Sequence, residues 1–327
     1  MSGLYPIKFK PIYLEKLWGG QRIKTLLNKD FGQLTNCGES WEISGVEGNI
    51  SVVSNGFLEG NDLNELIEVY MGELVGEKVY EQFGNEFPLL IKFIDAQDDL
   101  SVQVHPNDEL SKERHSAFGK TEMWYVVNTT PGALINSGFS QPVDKIKYLD
   151  ALQAGRLTEI LKYDEAQSGD VFFIPSGRIH AIGKGCMVAE IQQTSDVTYR
   201  IFDYNRLDNN GNLRELHTQL AIDAIDYSYL PDYKTKYNAE LNKSVELVRC
   251  KYFTTNLLEF DKYLEKDYHQ IDSFVIFMTL DGSFDIETEE GTERVEKGET
   301  VLIPASIESL QLKPVSGKVK LLEVYIS

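Results

Sequence analysis

Short apolar runs dominate the pattern of the chain. LLIKFI (89–94), VQVH (102–105), MWYVV (123–127), DVFFIP (170–175), MVAEIQQ (187–193) and VTYRIFD (197–203) are each bounded by glycine, proline, asparagine or aspartate, as are SFVIFMTL, GSFDIE, ETVLIP and KLLEVYI after residue 270. Runs of this length with such borders predict buried strands. Helical spacing of apolar positions is confined to three stretches. Residues 62–83 follow a plausible N-cap at Asn61-Asp62, residues 144–162 are interrupted at Gly155, and residues 212–226 form an amphipathic third. Many strands and few helices predict a mainly β protein of antiparallel sandwiches or barrels.

The pattern repeats. GDVFFIPSG (169–177) resembles GETVLIPAS (298–306), and EMWYVVNTTPG (122–132) parallels DSFVIFMTLDG (272–282), with an acid, an apolar run and a glycine at the same offsets. Two copies of one β fold are expected, over roughly residues 85–205 and 245–327. The copies differ in chemistry: where the first has Gly177 and His180, the second has Ser306 and Ser309, and no Gln-x-His or His-x-His precedes its strand pair.

Of the 327 residues, 42% are hydrophobic and 25% charged, enough for a sizeable core and two domains. No apolar run reaches the ~18 residues of a membrane span. The opening MSGLYPIKFKP lacks the apolar centre of a secretory leader, and the three cysteines (37, 186 and 250) are odd in number and scattered. A cytoplasmic protein with reduced thiols is expected. A formal net charge of −19 argues against nucleic acid and anionic membranes as partners. An anionic substrate would need a local basic pocket.

The polar residues that interrupt the strands carry the candidate chemistry. Gln103 and His105 are two apart in SVQVHP, so they share one sheet face, opposite Val102 and Val104. Glu122 heads the next apolar strand, with Lys120 two residues before it. In SGDVFFIPSGRIH a strand ends at Pro175, Gly177 allows a tight turn, and His180 follows a rigid corner. A histidine satisfied by a backbone carbonyl would explain His180 alone. The set Gln103, His105, Glu122 and His180 offers two imidazoles and two oxygens, which suits Zn²⁺, with Fe, Mn, Co or Ni as other divalent choices. Glu190 shares a face with Gln192, and Asp196, Thr198 and Arg200 share parity. Arg200, between Tyr199 and Ile201, reads as a fixed cation for an anionic intermediate or phosphate, or else as half of an ion pair with Asp196 or Asp203. His115, His217 and His269 lie in polar surroundings and read as structural or surface residues.

The spacing Gly169-x5-Pro175-x-Gly177-x2-His180 resembles the second metal motif of the cupin superfamily. PLLIKFIDAQDDLSVQVHPND, GKTEMWYVV and HAIGKGCMVAEIQQTSDVTYRIFDYNR resemble type I mannose-6-phosphate isomerases of the shorter bacterial form. WGGQRI (18–23), GESWEISG (38–45) and GNLRELH (211–217) extend the likeness over most of the chain, most weakly after about residue 240. The resemblance implies a bicupin of two jelly-roll domains with a few short helices: a catalytic domain at 1–240, with N-terminal strands and helical insertions, and a cupin-like domain at 241–327 without metal ligands. It implies one Zn²⁺ per chain on Gln103, His105, Glu122 and His180, and catalytic roles for Arg200, Lys120, Glu190 and Asp196. The implied reaction interconverts mannose 6-phosphate and fructose 6-phosphate through a cis-enediol, in a monomer or homodimer. Two features depart from longer members: Gly119 stands where some carry a histidine, and their large helical insertion is absent. A non-catalytic sugar-phosphate sensor and a cupin isomerase for another sugar phosphate are the alternatives; a cupin dioxygenase fits less well with Gln103 and a buried arginine.

Overall fold

Alternation along each strand sends one set of side chains into a barrel and the other into a core outside it. The structure, a computed structural model, describes residues 3–208, 211–315 and 317–326. It is mainly β, with 38% of residues in strands and 17% in helices.

Six strands form the first large sheet, in the order Ile12–Leu14, Glu39–Ile43, Leu89–Asp95, Cys186–Gln193, Glu122–Thr129, Val171–Ile174. A five-stranded sheet, Tyr199–Phe202, Val102–Val104, His180–Ile182, Leu134–Phe139, Leu161–Glu165, completes this jelly roll. The second barrel repeats the plan. Lys243–Arg249, Thr254–Phe260, Val319–Tyr325, Val275–Asp281 and Thr300–Ile303 form its large sheet, and Leu264–Asp267, Ser309–Pro314, Phe284–Thr288 and Gly291–Val295 its small one.

The odd-numbered Leu89, Ile91 and Phe93, with Met123, Tyr125, Ala189 and Ile191, pack in one cluster with Phe274, Ile276, Met278, Leu322 and Val324. The two large sheets therefore meet back to back across the largest hydrophobic core of the molecule. The even-numbered Ile94, Trp124, Val126 and Val188 point instead into the first barrel. On the small sheet, Val102, Val104, Tyr199 and Ile201 lie outward beneath helices Lys145–Gln153 and Thr218–Ala224. Gln103, His180 and Arg200 consequently face inward, where the alternation of the sequence puts them.

The antiparallel register corrects the repeat alignment. Glu122 pairs with Ile174 and Val275 with Ile303, each one residue before the strand-ending proline, so Glu122 corresponds to Val275 rather than Asp272. Asp272 accepts instead from the N–H groups of Glu77 and Lys78 (2.7 and 3.2 Å) at a helix start. The strand Ile7–Lys8 crosses over to pair with Val301–Leu302 of the second barrel, tying the two halves together.

The helices are shorter than their periodicity predicts. Residues 62–83 form two, Leu63–Val75 behind an Asp62–Glu65 capping box and Glu77–Phe83, parted at Gly76, whose φ is 97°. The 144–162 stretch becomes Lys145–Gln153 and a single 3₁₀ turn, Leu157–Ile160, running into a strand. Only Thr218–Ala224 of residues 212–226 is helical, because the preceding residues wrap around Arg200. Helices Arg22–Leu27 and Asp108–His115 carry no strong apolar period and went unpredicted. No helix among the described residues is long and apolar enough to cross a membrane.

Candidate metal centre and active-site cavity

Strand geometry brings His105, Glu122 and His180 together from three separate segments. Gly177, at φ 87°, makes the corner after Pro175, and its N–H donates to the His105 carbonyl at 2.8 Å, so the turn before His180 is bolted to His105. A β-carbon at Gly177 would crowd the Ala224 carbonyl at 3.0 Å.

Each histidine places its Nδ1 against a backbone carbonyl, His105 on Val197 (2.9 Å) and His180 on Arg178 (2.8 Å). Such a contact requires an Nδ1 proton, which leaves Nε2 as a lone pair in the neutral ring. Both rings are neutral, since burial drives the His180 pKa down to about 3 and His105 well below its ordinary value, with Lys120 adding to the effect in each. The reading of His180 as satisfied by the backbone thus accounts for only one of its nitrogens.

The two bare Nε2 atoms face a carboxylate. His105 Nε2 lies 3.5 Å from Glu122 Oε2 and His180 Nε2 3.6 Å from Glu122 Oε1. With Glu122 ionised, acceptors confront acceptors, and all four atoms are buried without a hydrogen-bond partner. Lys120 Nζ stands 3.1 Å from Glu122 Oε2, an ion pair outside hydrogen-bond geometry. Burial first, and the neighbouring Glu190 second, push the Glu122 carboxyl up to about 7. Two ligands about 2.1 Å from one tetrahedral ion would be roughly 3.4 Å apart. The separations of 3.5 and 3.6 Å fit a shared cation, and this is the one such cluster among the described residues. Gln103 sits beside it, paired across the ladder with His180 on one side and Arg200 on the other.

A cavity of about 260 Å³ lies beside this centre, reaching it through Gln103 and Lys120. Gln103, Lys120, Glu190, Asp196 and Arg200 all line it, which gathers every residue singled out in the sequence beside the His-Glu-His cluster. Asp196 is exposed at the rim. Glu190 is buried, with Oε2 accepting from Trp124 Nε1 at 2.8 Å and Oε1 in an ion pair with Lys92 Nζ at 2.9 Å but without a hydrogen bond. Burial would raise its pKa, but Lys92 and Lys120 outweigh it and hold Glu190 below the usual carboxylate range. Arg200 donates from Nη1 to the Glu215 carbonyl at 2.8 Å, and its buried Nε has no partner. Among the described residues it forms no ion pair; Asp203 pairs with Arg214 instead, at 3.3 Å.

The sequence reading missed several lining residues: Lys16, Trp18, Glu39, Trp41, Lys92 and Arg214. Lys92 is only 6% exposed, lies 3.8 Å from Glu39, and sits 5.4 Å from the Trp41 ring centre. A charge inside LLIKFI was the available signal, because a lysine in a strand buried on both faces demands a carboxylate. Gly119 has a packing reason: a β-carbon there would meet the Asp108 nitrogen at 2.5 Å, so no histidine fits. His217, read as structural, accepts from the Arg200 N–H at 3.1 Å and returns its own N–H to the Arg200 carbonyl at 2.7 Å.

Comparison with known proteins agrees with this picture. Residues 7–127 match the family described as phosphomannose isomerase type I, catalytic domain, and residues 243–326 match the mannose-6-phosphate isomerase cupin domain. The chain is 33% identical over 317 residues to mannose-6-phosphate isomerase ManA of Bacillus subtilis, covering 94% of this chain and 96% of that one. It is 34% identical to the mannose-6-phosphate isomerase of Streptococcus mutans, over 92% and 95% of the two chains. The crystal structure of the Bacillus subtilis mannose 6-phosphate isomerase superposes with a TM-score of 0.88 at 30% identity, covering 98% of this chain and 99% of that one. With two jelly rolls, a His-Glu-His centre in the first and relatives of this identity over nearly its whole length, the chain belongs to the type I phosphomannose isomerase family.

Proposed function

We propose that the protein interconverts mannose 6-phosphate and fructose 6-phosphate. One observation carries this reading beyond kinship: four buried lone-pair atoms, none of them hydrogen-bonded and only one ion-paired to Lys120, converge at the edge of a cavity whose other walls hold Lys120, Arg200, Glu190 and Asp196. Gln103, His105, Glu122 and His180 would hold one divalent ion per chain, and the imidazole-rich donor set favours Zn²⁺. Bound there, the ion would supply a Lewis acid for the sugar oxygens.

The aldose-to-ketose step removes the C2 proton, forms a cis-enediol and returns a proton to C1, while the hydroxyl proton of O2 passes to O1. The proton carrier needs a free lone pair near the substrate edge. Asp196 at the rim suits that task, and also ring opening, better than Glu190, which is buried and ion-paired with Lys92. Glu190 holds Lys92 and Trp124 in place. Arg200, with its partnerless Nε, neutralises the developing enediolate. Lys120 relays the proton between O2 and O1. Residues 1–240 carry the catalysis, and 241–327 serve as the packing partner. We place the protein in the cytoplasm, as a monomer or homodimer.

A coupled assay of mannose 6-phosphate turnover on purified, chelator-stripped and metal-restored protein tests the proposal, with metal content measured in parallel. Activity lost on stripping and regained with Zn²⁺ or a neighbouring ion is the expected result. Bound metal without turnover would overturn the isomerase reading in favour of a sensor or another sugar phosphate.

A further inference from the structure

Lys120 reaches the cavity from an irregular segment, residues 116–121, between helix Asp108–His115 and strand Glu122–Thr129. A side chain that relays protons is only as well placed as the backbone that carries it. Two of the three N–H groups of 119–121 go to side chains: Gly119 donates to Asp108 Oδ1 at 3.1 Å and Thr121 to Gln193 Oε1 at 2.8 Å. The Lys120 N–H donates to the Pro106 carbonyl at 3.2 Å. Gln193 also sends its own N–H to the Thr121 carbonyl at 3.1 Å, so it grips Thr121 on both sides. Thr121 Oγ1 accepts in turn from the Ser176 N–H at 3.3 Å, inside the corner before His180.

Both of those side chains depend on one carboxylate. Gln193 Nε2 donates to Asp108 Oδ1 at 3.0 Å, the oxygen that also takes the Gly119 N–H. Asp108 Oδ2 takes its hydrogen bond from the second barrel, where the Tyr252 hydroxyl donates at 2.7 Å. The terminal torsion of an aspartate is broad, so partners alone set the plane of its carboxylate. Donors on Oδ1 fix one oxygen, and the charge-assisted bond from Tyr252 fixes the other. Tyr252 lies in the turn 250–253 between strands Lys243–Arg249 and Thr254–Phe260, closed by the Cys250 N–H on the Phe253 carbonyl at 3.0 Å. Its ring packs against the core that the two large sheets share, which holds the hydroxyl in place. Lys251 stands 3.4 Å from the same oxygen, but it is 71% exposed, and such a pair fixes little.

We propose that Tyr252 is a positioning residue for the reaction: from the second barrel its hydroxyl orients Asp108, and Asp108 with Gln193 sets the backbone from which Lys120 reaches the cavity. The second barrel thereby shapes turnover in addition to packing against the first. The role in turnover rests on the isomerase reading above, whereas the link from Tyr252 to residues 119–121 does not.

Two measurements on metal-loaded, full-length protein test it. Tyr252→Phe removes one oxygen and leaves the ring. Amide hydrogen exchange in the peptide covering 119–121 should speed up about tenfold at unchanged metal content, while exchange in strand Leu89–Asp95 stays as it is. The kcat for mannose 6-phosphate should fall about three- to thirtyfold, with KM held within about threefold. On the residual turnover of Lys120→Ala, the same substitution should change kcat by less than about twofold, because the group it positions is gone. An equal fall in both backgrounds would mark a general loosening of the site and overturn the proposal. Unchanged exchange at 119–121, or faster exchange with unchanged kcat, would overturn it too. A parent protein that turned over no mannose 6-phosphate would sink the isomerase reading and the role in turnover with it, and exchange at 119–121 would still decide the link from Tyr252.

Discussion

Glu122 destabilises the metal-free fold, and the sign of that effect can be measured. Its folded pKa is raised from the ordinary 4.5 to about 7, with burial the main cause and Glu190 the next. A carboxyl with a raised pKa costs nothing while protonated in both states. The penalty builds as pH climbs from 4.5 through 7 and is complete above. At about 1.36 kcal/mol per pH unit, it amounts to roughly 3 kcal/mol. Glu122→Gln mimics the protonated form at every pH. In chelator-stripped protein, the stability of Glu122→Gln relative to the parent should therefore rise by roughly 3 kcal/mol between pH 4 and pH 8. Urea unfolding at both pH values measures this, and the difference between them cancels any steric effect of the amide. With divalent metal present the order should reverse at pH 8, because the parent gains binding free energy that the variant lacks. A relative stability independent of pH, or one falling toward pH 8 in stripped protein, would refute the reasoning.

Three other outcomes follow from the same cavity. Lys92→Met leaves Glu190 and Glu39 without their shared cation and should cost about 3–5 kcal/mol, most of it recovered in Lys92→Met/Glu190→Gln; thermal unfolding of the two variants checks this, and a neutral single variant would contradict it. Glu39 is held down at about 2, burial being outweighed by Lys92 and Lys16, so its contribution is present above pH 4.5 and lost as pH falls toward 2. The advantage of the parent over Glu39→Gln should shrink over that window, by at most about 3 kcal/mol since the side chain is 13% exposed, as unfolding at pH 6 and pH 3 would show. Arg200→Ala should lower kcat by ~10² or more at unchanged metal content, and near-normal kcat would remove it from the mechanism.

Most of the first barrel was readable because its chemistry breaks a strict alternation. Gln103 between Val102 and Val104, Arg200 between Tyr199 and Ile201, and Glu190 between Ala189 and Ile191 each put a polar group on the face opposite buried apolar ones, and the structure turns each of them inward. Lys92 follows the same rule, but its partners Glu39 and Glu190 come from segments about fifty and a hundred residues away, so the pairing was invisible without the fold. Arg214 escaped for a different reason. Residues 212–226 read as one amphipathic helix, whereas contacts to Arg200 outcompete helical propensity before Thr218. The acid of the repeat misled in turn, since Asp272 caps a helix and Val275 holds the place of Glu122.

The second barrel shows what the candidate metal centre adds to a scaffold the two halves share. Register places Glu323 where the first barrel has Glu190, and Asn256 where it has Lys92. Glu323 is as buried as its counterpart, yet it is paired on every side: Tyr268 OH donates at 2.6 Å, Asn256 Nδ2 at 3.0 Å, and Lys266 Nζ lies at 2.6 Å. At the position of Glu122 stands Val275, at that of His180 stands Ser309, and His269, two residues past the end of the Leu264–Asp267 strand, is exposed and bound to Glu308. A jelly roll can thus enclose a buried acid stably with protein donors alone. The first barrel keeps the same acid and adds four lone-pair atoms that no protein donor satisfies. Such a set is unfavourable on its own and becomes favourable only around a cation. The shared core between the two large sheets is what allows the first barrel to hold it, because that core is built from the opposite faces of the same strands and includes no site residue. Substitutions there should shift stability without changing the site, while those on the inward face should change the site and stability together.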